Sequence, residues 1–262
     1  MANRQSLYSP GKSKAEAWEA FSNDWQAVLD HPDPAPVPGG VLKTKDIYRN
    51  RVPNTIFYGW TDEQRDERLK MFIRVINRHV MHGIISVIPI EPYQRLLKGK
   101  FKLEMLDQPY FISFFGVLIQ LVKLTHRLKL TDKIELIFDE QAVDKTTLTT
   151  QYDLCMSVAP PELKNISAGM PIFKSDSDVL PLQASDLIAW HARRYYYDLY
   201  RGKTPEGEQS NVFFANMCDL KHDIVDVWTE DKLIQALSAL QSANAKKQGT
   251  SMTIPSEFLR RP

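Results

Sequence analysis

Cysteine is nearly absent from this chain: Cys155 and Cys218 are the two in 262 residues. They stand far apart and form no CxxC or Cys/His spacing, which argues against a disulfide scaffold or zinc ribbon and fits two reduced thiols used for packing. A dominant charge is missing as well, since Lys and Arg total 33 against 32 for Asp and Glu. Net charge therefore marks neither a strongly basic nucleic-acid binder nor an acidic tail, and any such surface must be local. Six histidines show no HxH or HExxH spacing, so each reads as a packing or surface residue. No Gly-rich loop is built to cradle phosphate, and no GxSxG turn is present. The start, MANRQSLYSPGKSK, has no apolar core for a signal peptide. FISFFGVLIQLV, the most apolar run, is too short and too interrupted to span a bilayer. A soluble, cytoplasmic protein with no membrane contact is expected.

What is present, 43% hydrophobic and 25% charged residues, is ordinary globular composition. AEAWEAFSNDWQAVL places Trp18, Phe21, Trp25 and Val28 or Leu29 on one helical stripe from Ala15 to Leu29. HPDPAPVPGG cannot continue that helix, and the segment through Tyr58 has no clear period. TDEQ supplies a capping box at Thr61 and Gln64, and Leu69, Phe72, Ile73, Ile76 and Val80 follow on one face. Gly83 is expected to close this helix, and IISVIPI reads as a strand covered on both faces. A helix around Pro92–Leu97 and a long buried one from about Pro109 to Leu128 precede IELIF, a strand ending in Asp139 and Glu140. A helix over 146–158, a short strand at Pro171–Lys174, a helix carrying PLQASDLIAW, a helical patch near Phe213, a strand near Ile224–Trp228 and a last helix through Leu233 and Leu240 complete the pattern. Alternating helices and buried strands predict one α/β domain over 15–244, with a helix-covered sheet, between a polar segment 1–14 and a tail 245–262.

Three acidic features fall where elements meet: Asp139 with Glu140, Asp176 with Asp178, and Asp186 in an otherwise apolar helix. An unpaired buried carboxylate costs several kcal/mol, roughly, so Asp186 calls for a partner or a cation. Carboxylates gathered at strand ends without His or Cys suit a hard cation such as magnesium or manganese. The bland alternatives are that Asp186 pairs with Arg193 or Arg194 or accepts hydrogen bonds from a nearby loop, and that Asp176 and Asp178 serve a turn and a cap. ARRYYYDLYRGK, from Ala192 to Lys203, interleaves cations with aromatics able to meet phosphates and stack on bases, or forms the solvated and packed halves of one helix.

FDEQ after an apolar strand, APPEL, PIF before acidic residues, and PLQASDLIAWHARR together resemble the prokaryotic family called domain of unknown function 3800. The WEAFSNDWQAVL and DQPYFISFFGV helices extend the likeness from about Ala15 to Arg194. The resemblance implies a ribonuclease-H-like mixed sheet covered by helices, with Asp139 and Asp186 as ligands of divalent metal and Glu140 as a further catalytic carboxylate. Asp176 would be an accessory, and Gln183 would orient a ligand or a carboxylate. Two ions about 3.5–4 Å apart would support phosphodiester hydrolysis at such a site. Members open with an acidic strand carrying Asp-Glu-Ser, and nothing like it precedes Trp18. Either the start is set downstream of the true one or the first strand and its ligand are lost. The resemblance thus implies a magnesium- or manganese-dependent nuclease acting on nucleic acid, or, with an incomplete site, a noncatalytic module that binds nucleic acid or protein.

Overall fold

The computed structural model describes residues 14–80, 82–99, 108–140, 145–159, 161–202, 209–217, 224–236 and 238. Helix α1, Lys14–Leu29, buries Phe21, Trp25, Val28 and Leu29 along the stripe that its spacing foretells. After a 3-10 turn at Pro38–Gly40, the segment without a clear period contains one helical turn, α2, Thr44–Ile47. Helix α3, Asp62–His79, starts at the expected capping box: Thr61 Oγ1 accepts from the Gln64 amide at 3.2 Å and the Thr61 amide donates to Gln64 Oε1 at 2.8 Å. It ends earlier than Gly83, because Val80 is already extended. Gly83 instead precedes strand β1, Ile84–Val87, and its carbonyl accepts from the Ile224 amide.

Helices α4, Ile90–Leu96, and α5, Pro109–Leu128, follow, then strand β2, Ile137–Asp139. Helices α6, Lys145–Val158, and α7, Pro161–Ile166, lead to strand β3, Ile172–Lys174. Helix α8, Pro181–Tyr200, helix α9, Gln209–Met217, and strand β4, Ile224–Val227, come last, before helical turns over 230–236. The protein is mixed α/β, but its strands do not join as one mixed sheet among the described residues. They form two two-stranded parallel sheets, β1 with β4 and β2 with β3. The Ile224 amide meets the Gly83 carbonyl and the Trp228 amide the Val87 carbonyl, so the pairing advances equally on both strands, as parallel strands require.

Within the span expected as one domain, contacts gather into two compact units. Among the described residues, one draws on those within Ser86–Phe173 and from Val225 to 238; the other draws on those from 14 to Ile85 and within Lys174–Ile224. In the first, Ile88, Tyr93, Leu97, Ile112, Trp228 and Leu233 form a buried cluster, and Phe114 meets Phe138 edge-on at 5.5 Å. In the second, Trp25 packs on Phe72 at 4.4 Å between α1 and α3, and α9 packs on both α3 and α8. Each large apolar side chain so buried contributes about 1.5–3 kcal/mol.

Helix α5 corrects the reading of its apolar run, because at 20 residues it is long and apolar enough to cross a membrane by length and composition. Its most apolar window is 72% buried inside the protein, as expected of a core helix. The readings of segment 1–14, Lys14 apart, of Leu240 and of tail 245–262 fall outside the described residues, as do those of Cys218 and of the Cys155 side chain.

Candidate functional site

Asp186 is not the buried carboxylate that its otherwise apolar helix leads one to expect: its side chain is exposed. The stripe formed by Asp186, Trp190, Arg193, Tyr197, Tyr200 and Arg201 falls within about 100° of arc on a 3.6-residue helix. All six are exposed or half-exposed, whereas Ala184, Leu187, Ile188, His191 and Ala192 are buried. Asp186 pairs with neither Arg193 nor Arg194. Its Oδ2 accepts from the Thr44 amide at 3.3 Å, at the first residue of α2. The Lys43 side chain provides no cap for that turn, so Asp186 offers a carboxylate to the positive end of α2 from across the unit.

Gln183 shares this helical side yet is fully buried, because α1 and the chain before α2 cover the N-terminal end of α8. Its Oε1 accepts from Trp25 Nε1 and from the Leu42 amide, both at 3.0 Å. Its Nε2 donates to the Asp176 carbonyl at 2.8 Å. Both lone pairs of the amide oxygen and one N–H are thus used by the fold. The Asp176 carboxylate, also buried, is ion-paired with Lys43.

Asp139 ends β2, half-buried, and the exposed Glu140 follows it with Lys145 Nζ at 3.2 Å. These two belong to one unit, and Asp176, Gln183 and Asp186 belong to the other. Asp176 already holds an ammonium, Gln183 is occupied by backbone and indole, and Glu140 faces a lysine. Among the described residues, no group of three or more His, Cys, Asp or Glu side chains is placed to hold a metal ion.

Periodicity had given no role to Tyr48, which lies just past α2. Its ring stacks on Trp190 with centroids 4.2 Å apart and planes within 6°. The Arg65 guanidinium also lies over the Tyr48 ring, at 4.9 Å, and is held by Asp62 at 2.9 Å and Asp66 at 2.7 Å. Tyr48 and His191 Nε2 share a hydrogen bond of 3.3 Å. Burial pushes the Tyr48 phenol up, so it keeps its proton. One local signal was available, the helix-compatible spacing of Thr44, Ile47 and Tyr48, but four residues are too few for a period to stand out.

Farther along α8, Tyr197 and Tyr200 are each 54% exposed. The Arg201 guanidinium lies 5.0 Å from the Tyr197 ring centre. Arg194, by contrast, turns to the buried Asp198 at 3.1 Å. A separate cleft of about 440 Å³ adjoins the chain at His31–Pro34 and α3, but Asp33, Glu63 and Glu67 line it beside Arg68 and Arg74, a poor setting for phosphate. Comparison with protein-family models, curated proteins and solved structures finds no match to this chain.

Proposed function

We propose that this chain is a nucleic-acid-binding module of ribonuclease-H-like organisation that holds its ligand against α8 without cleaving it. The observation that carries this reading is the exposed stripe of Arg193, Tyr197, Tyr200 and Arg201, in which cations able to meet phosphates flank rings able to meet bases. The flanking arginines favour a polyanion over an apolar partner. The commitment of Asp176, Gln183 and Glu140 to partners within the chain supports binding rather than hydrolysis.

Fluorescence anisotropy with short labelled oligonucleotides, followed by gel analysis after incubation with magnesium or manganese, tests the proposal. Binding that weakens with added salt, with the oligonucleotides left intact, is expected. Asp186→Asn is expected to tighten binding slightly, because it removes a negative charge from the stripe. Metal-dependent cleavage lost in both Asp139→Asn and Asp186→Asn would overturn the noncatalytic reading in favour of hydrolysis. Absence of binding would overturn the nucleic-acid reading itself.

A further inference from the structure

We infer that the ligand is a single strand and that Trp190, backed by Tyr48, is the platform on which its first base stacks. This rests on the nucleic-acid reading above and narrows it. In a duplex the faces of the bases are covered by their neighbours, and the protein meets only edges, sugars and phosphates. Rings exposed along a helix can use their faces only with bases that are unstacked, as in a single strand.

The Trp190 ring is already oriented before any ligand arrives. Tyr48 lies parallel to it at 4.2 Å, and Tyr48 is in turn fixed by His191 at 3.3 Å and by Arg65 over its ring. Arg65 cannot swing away cheaply, since Asp62 and Asp66 hold its guanidinium. A platform so held loses little rotational freedom on binding. From Trp190 the exposed face runs on to Tyr197, about 10 Å along the axis, and to Tyr200, about 5 Å farther, at ~1.5 Å per residue. Arg193 stands between Trp190 and Tyr197, and Arg201, just past Tyr200 in sequence, holds its guanidinium over one face of the Tyr197 ring, so a backbone tracking the helix meets a cation on each side of Tyr197. Asp186, one turn before Trp190, repels phosphate from the other side. The strand therefore extends from Trp190 toward the C-terminal end of α8. Because every base has a π-face, the site tolerates sequence variation.

The test compares anisotropy titrations of a labelled oligothymidine and of the same strand annealed to its complement, with wild type, Trp190→Ala and Tyr197→Ala. Single-strand binding at least tenfold tighter than duplex binding is expected. Each substitution should weaken it about 5- to 150-fold, the loss of one stacked base. Circular dichroism melts check folding. If Trp190→Ala does not fold, the exposed Tyr197 decides the matter, since its removal leaves no cavity. Duplex bound as tightly as single strand, with Tyr197→Ala unchanged, overturns the inference and leaves the broader reading standing. No binding of either probe, with a concentration-dependent dimer in sedimentation, assigns the stripe to a second copy of this chain and overturns both.

Discussion

Gln183 and Asp186 lie three residues apart on α8, and their surroundings give them opposite weights. Replacing Gln183 by Leu keeps the volume but strands the Trp25 indole N–H and the Leu42 amide in a dry interior, at about 1–3 kcal/mol for each buried donor. A urea unfolding midpoint well below that of wild type is expected. Asp186→Asn keeps an oxygen to accept from the Thr44 amide and lies in solvent, so its midpoint should move little. A large loss at Asp186 with none at Gln183 would contradict these assignments. Asp24 makes stability depend on pH. The hydrogen bond from His79 at 2.7 Å, aided by Arg78 at 2.9 Å, holds its carboxyl below the usual carboxylate range. A carboxyl depressed in the folded state adds stability above its unfolded value of about 3.9 and loses it as pH falls through the folded value. The group is 38% exposed, so solvent screens the effect and keeps it small. Asp24→Asn should flatten the acid limb of a stability-versus-pH curve below about pH 4 and leave neutral pH little changed apart from a weakened surface pair.

At the scale of elements, a buried arginine holds a chain segment that cannot hold itself, and a glycine lets a helix pack close. The Pro-rich segment after α1 has few backbone partners, and the buried Arg68 of α3 gathers the carbonyls of Val28, His31, Asp33 and Ala35 at 2.7–3.0 Å. Burial lowers the Arg68 pKa without discharging it. A lysine has neither the fork nor the reach for four acceptors, so Arg68→Lys should destabilise by about 1–3 kcal/mol in chemical denaturation. In α5, Gly116 carries a helix-propensity penalty of about 1 kcal/mol relative to Ala. A Cβ there would stand 2.5 Å from Ser86 Oγ and 2.7 Å from Trp228 Nε1, two atoms hydrogen-bonded at 3.1 Å. Gly116→Ala should therefore lower the melting temperature despite the better helix former, with overpacking costing about 1–3 kcal/mol. An unchanged or raised melting temperature would show that the contact yields.

Across the whole molecule, a formal net charge of +1 offers a polyanion no general attraction. Binding must draw on local cations, and two arginines on the stripe imply a log–log salt slope of about 1.4 for a single strand. Arg193→Gln should lower that slope by about 0.7; a slope that stays put would move the phosphate contacts elsewhere. Where a period runs through a long segment, as in α1 and α5, the sequence places the element within about one residue, because burying one face of a helix fixes a spacing; α3 starts at its capping box but stops short of Gly83. The same logic locates the short strands but cannot say how they pair, and among the described residues the one expected sheet is two parallel pairs. The acidic residues were legible as positions and not as environments. Spacing sets Asp186 on α8, but only the neighbours brought by α1 and α2 decide that Gln183 is buried under them while Asp186 remains in water. The Tyr48–Trp190 stack joins residues 142 positions apart in the chain (190 − 48), and no local pattern carries such a pairing. Helix and strand identity follow from short-range sterics and periodicity, which the sequence contains in full; exposure, ion pairing and stacking follow from which distant segments meet, which only the tertiary structure settles.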